Sequence, residues 1–290
     1  MVELKDALEV MQLAEPYFKN AKLDSELALK EIATPSAVAD YGKVYTKSDN
    51  RLYYQDGAGV EHMISLTDTN YAEMYCYDNT TIPTVINVAK QYHFIQGSAG
   101  APIFDNDHLN NWTFAHGSID SGASLVTDDA TTSINIGDAS NAHGLTSGDI
   151  VNVQSANHTG TVAVTVVDAN NFTVPITYVG DESCFWQQGD RLIAGVGAAG
   201  TYQFGFNTSL LSAGNNKTYK FEIVKTTTHI DESACERKIA VGDDLGSMSS
   251  GGILVIADGD IVQLQVMNNT PSADTTDLTL VHSTIYLHRL

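Results

Sequence analysis

What this chain has little of narrows it before any motif is read. Positive charge is scarce: 15 Lys and Arg stand against 35 Asp and Glu, for a formal net charge of −20. Binding a phosphate backbone depends on clustered Lys and Arg, so this balance argues against nucleic acid as a partner. Cysteine is almost absent, with only Cys76, Cys184 and Cys235, an odd and widely scattered set. Their spacing fits no metal site, and buried free thiols are expected. Long apolar runs are missing too. Nothing approaches the roughly 20 apolar residues of a membrane-spanning helix, so no membrane span is expected. The opening MVELKDALEV carries acidic residues and no uninterrupted apolar stretch, unlike a signal peptide. A protein made in a cytosol is expected, in which the Asn-x-Ser/Thr matches at Asn111 and Asn171 have no bearing.

What is present points to strands. The 290 residues can bury a substantial core and have room for two or three domains. A content of 43% hydrophobic and 17% charged residues, rich in Thr, Asn, Asp and Gly, suits an ordered, mainly β protein. Residues 1–34 are the exception. Leu4, Leu8 and Met11, then Leu23 and Leu27, recur at helical spacing, with a break at Pro16 and a stop at Ala33 to Pro35. Two helices this short need a surface to lie on, so these five residues are candidates for attachment to a partner.

From Tyr41 to Leu66, Val44, Tyr45, Leu52, Tyr53 and Tyr54 flank the turn-rich KSDN, with DGAG before the next strand, which predicts a small β meander over 35–70. The large domain is expected at 71–117 and 189–290, with YAEMYCYD and TVINVAKQYHFI as its first strands. Residues 118–188 shift to Asp, Thr, Ser, Asn and Gly and carry their own strands and turns, so they read as an inserted small β module. Beyond it, Tyr202, Phe204 and Phe206 share one strand face, and Tyr219, Phe221 and Ile223 another, predicting stacked aromatic rows in one core.

The C-terminal stretch organises the rest. Val262, Leu264 and Val266 alternate with Gln263 and Gln265, the pattern of a strand with one buried face. In LTLVHSTIYLHRL (Leu278 to Leu290) both alternating sets are largely apolar, which predicts a strand covered on its two faces. Such a strand is expected to sit inside something, and in the trimeric jelly rolls that the next motifs resemble it is covered by its own sandwich on one side and by other copies on the other, which makes His282, Ile285, Tyr286 and Leu287 candidates for a trimer interface.

DGDIVQLQVMNNT followed by DLTLVHSTIYLHRL resembles the final strands of the complement-subcomponent and tumour-necrosis-factor-like jelly rolls, in the form found in bacteriophage virion proteins. YGKVY, RLYY and DGAGVEH resemble the connector that precedes such a jelly roll. HGLTSGD with the later NNFTV is similar to a small β-barrel module of phage structural proteins and, more distantly, of ubiquitin-activating enzymes. The resemblance implies a jelly-roll β-sandwich with an inserted β module and a short helical N-terminal segment. It implies a homotrimer on the virion surface that reaches the major capsid protein or another virion protein through that segment.

Sites of chemistry are sparse. GVGAAG (Gly195 to Gly200) spells a dinucleotide fingerprint but runs into the strand text TYQFGF with no βαβ unit, so a glycine-rich turn is expected. No G-x-S-x-G elbow or H-E-x-x-H occurs. His282 and His288 would lie about 20 Å apart along one strand, too far to share an ion, though three copies of His282 could meet on a trimer axis. Asp105 with Asp107, and Asp258 with Asp260, offer oxygen ligands without the spacing of a known calcium loop, and solvated turns are expected. No catalytic residue, cofactor or metal is assigned. The sequence therefore reads as a non-enzymatic capsid decoration or cement protein. The alternative is a short tail-fibre or receptor-binding protein that recognises a host surface glycan or protein.

Overall fold

Short apolar-polar alternations separated by turn residues produce strands over more than half of the described residues. The computed structural model describes residues 31–290 apart from 40, 49–50, 65–69, 96–102, 107, 120–123, 131 and 139–140. The attachment candidates Leu4, Leu8, Met11, Leu23 and Leu27, and the helices expected to carry them, lie outside the described residues. Two units are present, Met1–Asp68 and Thr69–Leu290.

In the first, β1 (Lys43–Thr46), β2 (Leu52–Gln55) and β3 (Glu61–Ile64) form an antiparallel meander in that order. Tyr45 and Tyr53 are cross-strand partners whose rings stack at 5.9 Å on the buried face. Glu61 ties this face together, accepting hydrogen bonds from Lys47 Nζ and Thr34 Oγ1, each at 2.9 Å, and from the Tyr45 hydroxyl. The bonds from Lys47 and Tyr45 hold its carboxyl down at about 2. Glu31 pairs in parallel with Thr46, and the Ile32 amide donates to the Thr46 carbonyl at 2.8 Å. The end of the segment expected to be helical therefore runs along the β1 edge, where an open ladder offers a backbone partner.

The second unit begins with β4 (Tyr71–Cys76), β5 (Tyr92–Phe94), β6 (Leu109–Asn110) and β7 (Trp112–Ala115). Next come β8 (Ser118–Ile119), β9 (Ser124–Ala130), β10 (Ser133–Gly137), β11 (Ile150–Gln154), β12 (Gly160–Ala163), β13 (Thr165–Val166), β14 (Asn171–Val174) and β15 (Glu182–Gln188). The chain ends with β16 (Arg191–Ala194), β17 (Gly200–Ser212), β18 (Lys217–Lys225), β19 (Thr228–His229), β20 (Cys235–Ile239), β21 (Gly246–Ile256), β22 (Ile261–Asn268) and β23 (Leu278–Arg289). One sheet runs β19-β18-β22-β16-β7, with β20 beside β18 and β5 beside β22; another runs β21-β17-β23-β4-β6.

One core lies between these two sheets. Tyr202, Phe204 and Phe206 of β17 meet Tyr219, Phe221 and Ile223 of β18 together with Leu192, Val262 and Leu264. The aromatic rows face each other as their alternation predicts, with Phe206 and Phe221 centroids 6.4 Å apart and Trp112 edge-on to Tyr202 at 5.6 Å. Each buried aromatic of this kind contributes roughly 1.5–3 kcal/mol.

Two expectations fail here. TVINVAK is not a strand. The buried His93 accepts hydrogen bonds from the Asn87 and Val88 amides on Nε2, at 3.0 and 3.2 Å, and this turns the chain. Gln263 and Gln265 do not face water either. Both are 0% exposed, because the segment β8–β15 and the Gly189 turn that follows it cover that side of β22, where Gln265 and Gln263 donate to Thr161 and to the Gly189 carbonyl.

The segment β8–β15 has its own sheet, in the order β12-β11-β15-β9-β10-β14-β13 with β8 beside β15. It also has its own core of Val126, Ile134, Ile136, Val153, Phe172 and Trp186, among others. Its contact with the sandwich is polar. Gln265 Nε2 donates to Thr161 Oγ1 at 3.0 Å, Gln154 Nε2 to the Tyr92 carbonyl at 3.2 Å, and Gln91 Nε2 to the Ser155 carbonyl at 3.1 Å. At the base, the buried Asp190 accepts from the Gly117 amide at 2.8 Å and the Phe104 amide at 3.0 Å. Glycine is required at position 117, since a Cβ there would stand 1.9 Å from the Gln188 carbonyl oxygen.

Candidate functional site

The trimer-interface candidates all lie on β23, and the structure splits them. Ile285 and Leu287 point into the sandwich core, whereas His282 and Tyr286 are half-exposed on the outer face of the β21-β17-β23-β4-β6 sheet. The expectation of two apolar faces fails for a physical reason. Across the ladder Ser209 pairs with His282 but Leu210 pairs with Leu280, so Val281 is an extra residue. A one-residue bulge exchanges the faces of a strand. Leu278 and Leu280 before it, and Ile285 and Leu287 after it, consequently fill the same core, while His282, Thr284, Tyr286 and His288 form the outer face.

Cross-strand pairing orders that face into rows. Ile253 pairs with Gln203, Gln203 with His288 and His288 with Tyr71. The next row is Gly251, Gly205, Tyr286 and Glu73, followed by Ser249, Asn207, Thr284 and Tyr75. Tyr286 lies flat across the sheet: a Cβ on Gly205 would come within 2.5 Å of its hydroxyl. At one end Ile253 and Val255 are 67% and 66% exposed, with Leu290 beyond them also exposed. At the other end two shallow depressions flank His282 and Thr284. One, of about 370 Å³, is lined by Asn207, Ser247 and Ser249; the second, of about 390 Å³, by Glu73, Tyr75, Tyr77 and His108.

The histidines of this face are separately occupied. His282 Nδ1 accepts from the Asp78 amide at 3.2 Å, and its ring lies 5.1 Å from Tyr77. With that lone pair engaged, the neutral ring carries its proton on Nε2 and offers a donor rather than a metal ligand. His288 lies between Tyr71 and Tyr286, at 6.3 and 6.0 Å, and His108 Nδ1 is 3.7 Å from Glu73.

Elsewhere the sequence motifs resolve into internal structure. In the glycine-rich stretch Gly195 to Gly200, the Asp258 carboxylate accepts from the Gly197 amide at 3.0 Å and the Ala199 amide at 2.8 Å. An internal carboxylate thus occupies the donors that a phosphate would need. Asp260 accepts from the Ala257 amide at 2.8 Å and from Thr226 Oγ1 at 3.3 Å, so both aspartates of the DGD turn are engaged. Asp105 exchanges backbone hydrogen bonds with Tyr75 at 2.8 Å, and Asp107 lies outside the described residues. Cys76 and Cys184 are buried and Cys235 half-buried; burial pushes the Cys76 and Cys235 thiols up to about 11.

Sequence reasoning passed over one constellation, Ser155, His158 and Glu182. Glu182 Oε1 accepts from Ser155 Oγ at 2.5 Å, from His158 Nδ1 at 2.5 Å and from the Asn157 amide at 3.0 Å. Against the cost of desolvation, these bonds hold its carboxyl down at about 2. His158 Nε2 accepts from the Val179 amide at 3.0 Å, so the imidazole faces no serine hydroxyl with that nitrogen. The trio lacks the serine-to-imidazole relay of a nucleophile and instead ties the β11–β12 loop to the β14–β15 loop and the start of β15.

No protein-family model matches the chain, and no curated protein matches it. Among solved structures, that of infectious bursal disease virus Gx strain aligns with 77% of this chain and 68% of that chain, at 8% identity and a TM-score of 0.23. A likeness at that score bears on neither fold nor function. Among the described residues, no helix is long and apolar enough to cross a membrane.

Proposed function

We propose that the chain is a non-enzymatic virion structural protein, a homotrimer whose two large sheets form a jelly roll. The strand order supports the jelly roll: β16, β17 and β18, and again β20, β21, β22 and β23, alternate between the two sheets, as strands wound in paired Greek keys do. One observation carries the trimer. The β8–β15 segment covers the outer side of β22, while the opposite sheet keeps a broad open face with Ile253, Val255, Tyr286 and Leu290 on it. Apolar side chains on an open sheet face mark an interaction surface, and a second and third copy on that face bury them.

The virion role is that of a capsid decoration or cement protein, attached through residues 1–34 to the major capsid protein or another virion protein. The bacteriophage resemblance of the C-terminal strands and of the YGKVY connector supports this, as does the absence of a long coiled coil or repeated shaft from the sequence. A second reading, a short tail-fibre or receptor-binding protein, is favoured by the two depressions beside His282, where tyrosine rings and Glu73 suit a host glycan.

Copy number decides between them. Quantitative gel densitometry of purified particles is expected to give hundreds of copies per virion; a few to a few tens would overturn the capsid reading in favour of the tail. Native mass spectrometry is expected to give three times 31.2 kDa, and a stable monomer at micromolar concentration would remove the trimer.

A further inference from the structure

We propose that Lys90 and Asn269 join through an amide bond that the chain forms by itself, with Glu236 carrying the proton; this does not depend on the trimeric reading above. The three side chains come from distant parts of the sandwich. Lys90 precedes β5, Asn269 follows β22, and Glu236 lies on β20. Lys90 Nζ donates to the Asn269 carbonyl at 2.7 Å and to Asn269 Oδ1 at 3.0 Å, while Asn269 Nδ2 donates to Glu236 Oε2 at 2.5 Å. One carboxamide is thus held between an amine and a carboxylate.

The backbone is bent to bring the amine there. Lys90 has a φ of 62°, in the left-handed region that a residue with a Cβ seldom adopts. Its amide donates to the Asn268 carbonyl at 3.4 Å, and the Asn269 amide donates to the Thr218 carbonyl at 2.7 Å. These bonds fix both members of the pair. Cγ of Asn269 is one bond beyond Oδ1, so a small rotation takes Nζ to the about 3–3.5 Å of a near-attack position over the carboxamide.

The step balances without a further reactant. The neutral amine of Lys90 attacks Cγ of Asn269; the Nζ–Cγ bond forms and the Cγ–Nδ2 bond breaks. Glu236 takes a proton from the attacking nitrogen and delivers it to Nδ2, which leaves as ammonia. Lys90 and Glu236 are exposed, so the ammonia escapes into solvent and the exchange is not reversed. The new bond closes a loop between residues 179 positions apart, and a cross-link over so long a loop stabilises the fold by restricting the unfolded chain. Cys76, Cys184 and Cys235 are all free. This cross-link, unlike a disulfide, needs no oxidising compartment.

Intact-mass spectrometry of the full chain, freshly purified and after prolonged storage at room temperature, tests this. The expected mass is below that of the sequence by one ammonia, and a tryptic digest is expected to yield a branched peptide in which Lys90 is uncleaved and joined to Asn269. Lys90→Arg and Asn269→Ala are expected to keep the full mass of their sequences and the circular dichroism of the wild type, and to melt several degrees lower. Glu236→Gln is expected to slow the loss of ammonia by roughly a hundredfold or more. The full sequence mass in the wild-type chain at both times overturns the proposal, a result that needs no variant to fold. Loss of ammonia without the branched peptide, as a succinimide at a single asparagine gives, overturns it too. Loss at the wild-type rate in Glu236→Gln overturns the three-residue mechanism.

Discussion

Ser118 and Gln188 are direct cross-strand partners in the antiparallel ladder between β8 and β15. The first and last residues of the segment that carries its own sheet and core therefore lie side by side. A chain closed across that pair needs only a hairpin-sized link, and the shortened loop is favoured slightly by closure entropy.

Replacing residues 119–187 by a short Gly/Ser turn is accordingly expected to leave a soluble, folded trimer. The side of β22 that it uncovers presents Gln263 and Gln265, and amides accept water readily, whereas exposed leucines would promote aggregation. Size-exclusion chromatography with light scattering and a thermal melt check this. Insoluble or monomeric product would show that the segment is part of one indivisible core.

Charges placed on the C-terminal sheets are expected to separate folding from assembly. Ile285→Asp puts an unpaired carboxylate into the sandwich core and is expected to unfold the chain, at a cost of several kcal/mol. Gln263→Glu does the same under the β8–β15 segment, where Nε2 now donates to the Gly189 carbonyl at 3.2 Å, and is expected to lower Tm clearly. Tyr286→Asp is expected to keep the circular dichroism and Tm of a folded chain while shifting native mass toward monomer. If Tyr286→Asp remains trimeric, the open sheet face is not the contact.

Acid is expected to weaken the two halves of Thr69–Leu290 in different pH windows, and the two tryptophans report them separately, Trp112 in the sandwich and Trp186 in the β8–β15 core. Burial lowers the His93 imidazole to about 4. The unfolded chain then takes up that proton first, so the sandwich loses stability as pH falls from about 6.5 to about 4, on the order of 3 kcal/mol in total. Glu182 is depressed to about 2, so its contribution is complete above about 4.5 and lost as pH falls toward 2. Urea titrations of Trp112→Phe and Trp186→Phe chains at stepped pH measure each window. His93→Gln is expected to flatten the first and Glu182→Gln the second, and coincident windows unaffected by these changes would sink the assignment.

Much of the strand content was legible because alternation is a local property. Tyr202, Phe204 and Phe206 announce an inward face wherever that strand lies, and their meeting with the row at Tyr219 follows from two such faces seeking one core. The open-face candidates were only half legible. His282 and Tyr286 lie on the outer face, but Ile285 and Leu287 are core, because Val281 bulges opposite the Ser209–Leu210 step of β17. A bulge belongs to a pair of strands and leaves no mark in one of them.

The same distinction runs through the molecule. The sequence by itself determined that the chain is built largely of strands and that Gly195 to Gly200 runs into a strand rather than a helix, since composition and short-range periodicity depend only on neighbouring residues. Tertiary structure alone decided that Gln263 and Gln265 are buried, that His93 turns the chain at Asn87, and that Glu182 gathers Ser155, Asn157 and His158. Gln265 meets Thr161 and Glu182 meets Ser155 across long stretches of chain, and even the local bond of His93 to Asn87 needs the imidazole to be buried by the assembled sheet before it forms.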